Sequence, residues 1–255
     1  LIYLEQQRKK WVSSSLKQRE TLVQGAKSLE LGNMSLGIAH EIRNPISVIR
    51  GYAGMLSDPE IVAKKGIDEI SSQIIKNVKR VEDIVNGLRS LTRGNEREDW
   101  QDFSMSEMLD EVEALFRSRL KQNQVDLRLP ERRDFMVKGQ RGQVIQVLVN
   151  LLNNSLDALT AEAEPRWIEI GFQGSHQFLE VSVTDSGPGV APEHREKILE
   201  MFFTTKGSDE GTGIGLSLCR RIIDQHGGKL WLDDSGVHMS MRFTIPLAAD
   251  KSSAA

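Results

Sequence analysis

Apolar residues follow a helical period over the first third of the chain. In residues 1–30 they are sparse, and their spacing indicates a helix that is either a solvated linker or a coiled-coil segment carrying a signal from upstream. From about Ser28 the pattern strengthens, and the helix is predicted to end at the turn formed by Ser57, Asp58 and Pro59. Its apolar residues lie within an arc of about 80°: Ile38, Ile42, Ile46, Ile49, Ala53 and Leu56.

A second predicted helix has apolar residues at two heptad positions. One position holds Ile67, Ile74, Val81 and Leu88, and the other holds Ile70, Asn77, Ile84 and Leu91. Such a seam is typical of paired helices, and the asparagine would help to fix their register. Two long helices joined by a short turn form a hairpin that covers this seam poorly. Two hairpins packed as a four-helix bundle would cover it, so we expect a homodimer.

The remainder of the chain mixes helices and strands. A charged stretch at 93–102 is predicted to be a linker. Beyond it the pattern predicts helices at 104–121, 140–160 and 212–226, strands at 125–129, 135–138, 166–173, 177–184, 229–233 and 238–246, and a glycine-rich irregular stretch at 185–211. Helices mixed with largely hairpin-connected strands indicate an α+β layer structure with helices packed on one sheet. The predicted domains are a helical linker at 1–30, the hairpin at 31–97 and a second domain at 98–255.

Composition excludes several classes of protein. The 255 residues are 39% apolar and carry a formal charge of -3, which argues against a disordered chain and against a nucleic-acid binding protein. The single cysteine, Cys219, favours a reducing, cytoplasmic compartment. No apolar run approaches the ~18–20 residues of a membrane span, so no membrane contact is expected within this segment. Because the chain begins at Leu1 without a methionine, we expect it to be a piece of a longer protein.

The segment HEIRNP at 40–45 places a histidine opposite the apolar arc of the first helix. Arg43 and Asn44 share the side of His40, and Glu41 is its immediate neighbour. A zinc site of the His-Glu-x-x-His type is excluded, because Asn44 stands where the second histidine would be. His40 is therefore either a solvated surface residue or a nucleophile assisted by the adjacent carboxylate.

A polar stripe crosses the otherwise apolar helix predicted at 140–160. Asn150, Asn154 and Asp157 follow one another at steps of four and three residues. Amide oxygens with a carboxylate suit a Mg²⁺ ion that already carries a triphosphate and several waters. The alternative is that they are ordinary exposed polar residues of the helix.

Glycine-rich segments in the second domain have the composition of a nucleotide site. Asp185 ends an apolar-alternating strand and begins DSGPG, where Gly187 and Gly189 would let a flat ring approach the backbone. FFTTK at 202–206 precedes GTGIGL at 211–216, which opens a helix whose N-terminal N–H groups could bind phosphate. The candidate ligand residues in these two segments are Thr205, Lys206, Gly211, Thr212, Gly213, Ile214, Gly215 and Leu216.

These five segments, in this order, resemble the H, N, G1, F and G2 boxes of the sensor histidine kinases of two-component systems. The resemblance covers roughly residues 30–247. It implies a dimeric four-helix-bundle hairpin followed by an α/β sandwich ATP-binding domain, with helices on one mixed sheet, of the kind shared with gyrase and heat-shock-chaperone ATPases. The implied cofactors are ATP and Mg²⁺, and the implied partners are a second copy of the chain and the receiver domain of a response regulator.

The resemblance also implies roles for residues. His40 is similar to the phosphoacceptor, Glu41 to the residue that orients or deprotonates it, and Asn44 to the residue that positions a water for dephosphorylating the partner. Asn150 and Asn154 resemble the Mg²⁺–phosphate site, and Asp185 resembles the aspartate that recognises adenine. Two positions depart from the family: Ser155 stands where Ala or Gly is commoner, and Asp157 stands where His or Lys often occurs, which leaves its role open.

Three functions are compatible with these segments. The first is ATP-dependent phosphorylation of His40 with transfer of the phosphoryl group to an aspartate of a response regulator, together with phosphatase activity on that regulator. The second is an ATP-driven clamp that phosphorylates nothing; such relatives use a Glu to activate water where this chain has Asn150. The third is a signalling scaffold without nucleotide binding, which the presence of Asn154, Asp185 and the glycines disfavours.

Overall fold

The computed structural model describes residues 42–92, 99–160, 162–206 and 211–249. They divide into two compact units, one ending at Ile84 and the other beginning at Val85. The division falls inside the helix Ile67–Thr92, and residues 93–98 of the predicted linker lie outside the described part. The predicted helix at 1–30 lies outside it as well. No helix among the described residues is long and apolar enough to cross a membrane.

The described part of the first unit is helical. Helix α1 occupies residues 42–55, α2 is Pro59–Lys65 and α3 is Ile67–Thr92. The predicted turn is present, because the Asp58 carboxylate caps α2 by accepting hydrogen bonds from the N–H groups of Glu60 at 3.0 Å and Ile61 at 3.4 Å. Gly66, with φ of +83°, ends this short helix. The sequence pattern did not predict α2 as a separate element.

The heptad seam of α3 divides into a buried and an exposed part. Ile70 and Ile84 are fully buried and Asn77 is nearly so, with its side-chain amide donating to the Gln73 carbonyl at 2.9 Å. A second group of apolar side chains on α3 is exposed and is called here the exposed apolar stripe: Ile67, Ile75, Val78 and Val85. The described residues of one predicted heptad position are therefore buried within a single chain. At the other position Ile67 is exposed, whereas Ile74 and Val81 are partly buried. The remaining residues of the exposed apolar stripe belong to neither predicted position.

The second unit contains a five-stranded mixed sheet in the order β2-β4-β5-β7-β6. Its strands are β2 (Val125–Arg128), β4 (Arg166–Gly174), β5 (Phe178–Asp185), β6 (Leu230–Asp233) and β7 (Ser240–Pro246). Strand β2 pairs in parallel with β4, while the other neighbours are antiparallel. A separate antiparallel pair joins β1 (Gln101–Ser104) to β3 (Met136–Gly139).

Helices α4 (Met105–Gln122), α5 (Arg141–Leu159) and α6 (Gly215–Gln225) contribute their apolar faces to one core with the sheet. Along β5, Leu179, Val181 and Val183 are buried and alternate with partly exposed polar residues. This alternation is why one face of the sheet is covered by helices and the other is polar. The predicted α+β architecture is confirmed.

Two features of this unit differ from the predictions. Residues 101 and 102, placed in the charged linker, belong to strand β1, which leads directly into α4 through the Ser104 cap. The polar sequence hid this strand, because only Phe103 of its four residues is buried. Helix α6 begins at Gly215, three residues later than predicted, because the glycine-rich segment before it takes an irregular path.

Candidate functional site

The polar stripe of α5 lies on the surface side of a buried helix. Asn150 and Asn154 are half-buried and Asp157 is exposed, whereas Leu151 and Leu152 between them are in the core. At ~100° per residue the three polar side chains share an arc of about 60°. The structure therefore brings them to one face of the helix, as the spacing predicts.

Asn150 is oriented by the first turns of α6. Its side-chain amide nitrogen lies 3.5 Å from the Gly215 carbonyl oxygen and 3.6 Å from the sulfur of Cys219. These contacts use the nitrogen and leave the amide oxygen for a ligand. Burial raises the pKa of the Cys219 thiol to about 12, so the sulfur beside Asn150 is a neutral thiol at physiological pH.

Asp185 occupies the end of β5, next to α5. Its carboxylate oxygen accepts a hydrogen bond from the Gly187 N–H at 3.0 Å. Burial raises the pKa of this carboxyl above its usual value, and the Ser155 hydroxyl, the Gly187 N–H and the charge of His238 oppose that shift. A half-buried acceptor anchored in this way can bind an exocyclic amine.

Ser155 is a neighbour of Asp185 that the sequence did not reveal. It is buried on α5, on a different side from the polar stripe, and its hydroxyl lies near the Asp185 carboxylate and lowers the pKa of that group. The only sequence signal was its departure from the Ala or Gly that is commoner at this position.

In the stretch between β5 and α6, two residues with a left-handed backbone are joined by a main-chain hydrogen bond. Phe202 has φ of +67° and Gly213 has φ of +64°, and the Phe202 N–H donates to the Gly213 carbonyl at 2.9 Å. A Cβ at Gly213 would lie 2.4 Å from the Phe202 carbonyl carbon, so only glycine fits there. Residues 207–210 within this stretch lie outside the described residues.

The GTGIGL segment does open a helix, as predicted. No side chain caps the N-terminus of α6, and the Ile214 N–H lies 3.5 Å from the Thr212 hydroxyl. Ile214 is buried and Leu216 packs against the core, so their side chains anchor the helix while the backbone of the segment is the part that can meet a ligand.

Lys206 and Asp157 form an ion pair, with 2.6 Å between the ammonium nitrogen and a carboxylate oxygen. They are far apart in the sequence, and the motifs alone gave no sign of the contact. Thr205, the neighbouring predicted ligand, is exposed.

Gly189 of the DSGPG segment has φ of +74° and lies beside Met239, whose sulfur lies 3.0 Å from the Val190 nitrogen.

The residues predicted for the histidine chemistry are only partly described. His40 and Glu41 lie outside the described residues, whereas Asn44 is exposed on α1 and is followed by a buried Pro45. Among the described residues, no three His, Cys, Asp or Glu side chains are grouped closely enough to bind a metal ion.

Comparison with known proteins identifies both parts of the chain. Residues 30–97 match the family described as His Kinase A (phospho-acceptor) domain, and residues 139–249 match the family described as Histidine kinase-, DNA gyrase B-, and HSP90-like ATPase. The solved catalytic domain of histidine kinase ThkA is 35% identical, with a TM-score of 0.52, over 58% of this chain and 97% of that domain. The chain belongs to the sensor histidine kinases of two-component systems.

Other histidine kinases match over most of the chain. The sensor protein FixL of Bradyrhizobium diazoefficiens is 31% identical over 89% of this chain and 46% of its own length. The histidine-protein kinase AtoS of Escherichia coli is 31% identical over 82% of this chain and 33% of its own length. The chain thus spans between a third and about half of these relatives. The structure of ThkA in complex with the response regulator TrrA is 33% identical, with a TM-score of 0.68, over 86% of this chain and 62% of that one.

Within this histidine kinase, the mixed sheet with α4, α5 and α6 is the fold of the ATP-binding domain, which supports ATP as its ligand. The N segment lies on α5, and the G1 and F segments contact this helix through Gly187 and Lys206. The G2 segment contacts it through Gly215.

Proposed function

We propose that this chain is a catalytic core that phosphorylates His40 from ATP and passes the phosphoryl group to an aspartate of a receiver domain. The observation that carries the proposal is the convergence on α5 of three parts of an ATP site. The Asp185 carboxylate lies beside Ser155 of this helix, the amide nitrogen of Asn150 contacts the Gly215 carbonyl at the start of α6, and Lys206 pairs with Asp157. The motif order along the chain supports the same reading.

In the proposed complex each group has one task. Asp185 accepts a hydrogen bond from the adenine amine, and the backbone of Gly187 and Gly189 borders the ring. The N-terminus of α6, with Gly211, Thr212, Gly213 and Gly215 around it, binds phosphate through backbone N–H groups and the helix dipole.

Asn150 and Asn154 fit a Mg²⁺ ion. The amide nitrogen of Asn150 contacts α6, which leaves its oxygen as the donor atom. Neutral oxygen donors suit an ion that already carries phosphates and waters. When bound, Mg²⁺ neutralises charge on the phosphates.

The proposed chemistry is an in-line displacement. A nitrogen of His40 forms a bond to the γ-phosphorus as the bond to the β,γ-bridging oxygen breaks, and ADP leaves. Glu41 accepts the hydrogen bond, and then the proton, of the imidazole N–H. In the second step an aspartate oxygen of the receiver takes the phosphoryl group from the His40 nitrogen. Positioning and charge neutralisation supply most of the catalysis.

The proposed domains are a helical linker at 1–30, a dimerisation and phosphotransfer hairpin at 31–97 and the ATP-binding domain at 98–255. A cytoplasmic location, where ATP is available, belongs to the same proposal.

The test is incubation with γ-labelled ATP and Mg²⁺, followed by acid or base treatment of the labelled protein. Label on a phosphohistidine is lost in acid and survives base. An ATP-driven clamp would release labelled phosphate without retaining label on the protein, and a scaffold would neither bind nor hydrolyse ATP. Either result would contradict the proposal.

We further propose that the chain is a homodimer formed through α3, because the exposed apolar stripe leaves Ile67 60% and Ile75 67% exposed. Val78→Glu in the stripe is expected to shift the full chain from dimer toward monomer in light scattering at micromolar concentration. Lys79→Glu is the matched control, since Lys79 is exposed about 100° around the helix. A wild-type monomer, or equal effects of the two variants, would contradict the dimer.

Asn44 is proposed to hold the water that dephosphorylates the receiver. Asn44 is exposed on α1. In the sequence it follows His40 by four positions, the spacing that places two residues on one side of a helix. Asn44→Ala is expected to leave phosphorylation of His40 largely intact and to slow receiver dephosphorylation about tenfold, or ~1.4 kcal/mol in the barrier. Both rates are measured on one preparation. Equal losses in the two assays would assign Asn44 a structural role beside Pro45 instead.

A further inference from the structure

The ion pair between Asp157 and Lys206 joins the polar stripe of α5 to the FFTTK segment. We propose that Asp157 is a positioning residue that holds the Lys206 ammonium beside the phosphates of ATP, rather than a nucleotide ligand itself. The proposal rests on the proposed function, because the phosphates are those of the ATP bound there. It gives a role to the residue that the family resemblance left open.

Hydrogen bonds and close packing hold the main chain around Lys206 in place. The Lys206 N–H donates to the Thr204 hydroxyl at 3.1 Å, and the Phe202 N–H donates to the Gly213 carbonyl at 2.9 Å. Gly211 lies against this turn, so that a Cβ there would be 2.4 Å from the Thr204 hydroxyl oxygen. These contacts fix where the Lys206 side chain starts, and its contact with Asp157 then fixes where the ammonium lies.

Asp157 holds the ammonium close to the candidate metal ligands. Asp157 is three residues after Asn154, which is about 4.5 Å along the helix axis and on the same face. The ion pair is short, at 2.6 Å, with the Asp157 side chain 47% and the Lys206 side chain 33% exposed. Lys206 is thus directed toward the stripe, although its flexible side chain would otherwise sample many rotamers.

The charges favour an indirect role for Asp157. A carboxylate beside a triphosphate repels it unless a cation lies between them, and the cation in contact with the Asp157 carboxylate is the Lys206 ammonium. A lysine ammonium has three N–H donors, so one can remain on Asp157 while the others reach phosphate oxygens. Asp157 therefore acts on the nucleotide only through Lys206.

The test is titration of the full chain with a non-hydrolysable ATP analogue and Mg²⁺, and in parallel with adenosine. Asp157→Asn is expected to weaken binding of the analogue about threefold to fivefold, and Lys206→Met about tenfold. Adenosine affinity is expected to stay unchanged in both variants, because adenosine has no phosphate. A merely structural role for the pair would weaken both ligands together.

The double variant separates a coupled pair from two independent contacts. In the Lys206→Met background, Asp157→Asn is expected to strengthen analogue binding slightly rather than weaken it further, since it removes an uncompensated negative charge. Glu111→Gln is the matched control, because Glu111 pairs with Arg141 at 2.7 Å and is 48% exposed, and it is expected to bind both ligands like the wild type.

The other possible titration results contradict either the positioning role of Asp157 or the proposed function. Wild-type analogue affinity in Asp157→Asn, or additive losses in the double variant, would overturn the positioning role while leaving the proposed function intact. Tighter analogue binding by Asp157→Asn would show that the ion pair withholds Lys206, which also overturns it. A wild-type protein that fails to bind the analogue would instead overturn the proposed function, and the positioning role with it.

Discussion

His40→Gln is expected to abolish labelling of the protein by γ-labelled ATP while leaving affinity for ATP unchanged. Glutamine keeps a polar side chain of similar length but has no nitrogen lone pair that can attack phosphorus, because its amide nitrogen is conjugated with the carbonyl. The ATP site belongs to the second unit, so binding is not expected to depend on this residue. Retained label after electrophoresis and nucleotide affinity by titration are the two measurements.

His176→Gln is the matched control for this variant. His176 is an exposed histidine in the turn between β4 and β5, and its replacement is expected to leave labelling at the wild-type level. Undiminished labelling of His40→Gln would refute His40 as the phosphoacceptor. Loss of ATP binding in the same variant would show that the substitution disturbs more than the phosphoacceptor.

Asp185→Asn is expected to weaken ATP binding about tenfold to a hundredfold, which corresponds to ~1.4–2.7 kcal/mol. The carboxylate is oriented by the Gly187 N–H, and an asparagine there would present an N–H₂ group as well as an oxygen to the adenine amine. Asp224→Asn on the exposed face of α6 is the control and is expected to bind ATP normally. Equal affinities in the two variants would place the adenine elsewhere.

The raised pKa of Asp185 gives this variant a second readout. Because burial is the largest cause of the shift, ionising this carboxyl costs more in the folded than in the unfolded protein, and its charge opposes folding above the raised pKa. Asp185→Asn is therefore expected to melt no lower than the wild type at neutral pH. A large drop in Tm would attribute lost binding to misfolding.

The same shift predicts the pH dependence of binding in the wild type. The adenine amine needs the ionised carboxylate, so affinity is present above the folded pKa and is lost as pH falls through it. The loss is expected to begin at a higher pH than for an ordinary aspartate, whose pKa is 3.8, and to be absent from Asp185→Asn.

Elements with strong local patterns were predictable from the sequence. Helix α5 was predicted at 140–160 and is found at Arg141–Leu159, because its apolar residues recur with the helical period. Strand β5 was predicted at 177–184 and is found at Phe178–Asp185, because its buried and polar residues alternate. Strand β1 was missed, because a four-residue segment with one apolar and three polar residues carries no such period.

The pairing of the strands required the tertiary structure. The pattern favoured hairpin connections, but β2 pairs in parallel with β4, with Val125 opposite Arg166. Helix α5 lies between these strands in the sequence, as a parallel crossover requires. Alternation along a strand shows which residues face the core but not which strand lies beside it.

The sequence by itself determined the helical hairpin pattern, the class of the second domain and the types of residue in the candidate site, because period, turn chemistry and motif order are local properties. Only the tertiary structure decided which of those residues are in contact. Lys206 contacts Asp157 across 49 residues, and Asn150 contacts Gly215 across 65. Such contacts depend on how α5 and α6 pack on the sheet, and a long-range contact between two exposed or half-buried polar side chains leaves no period in the sequence.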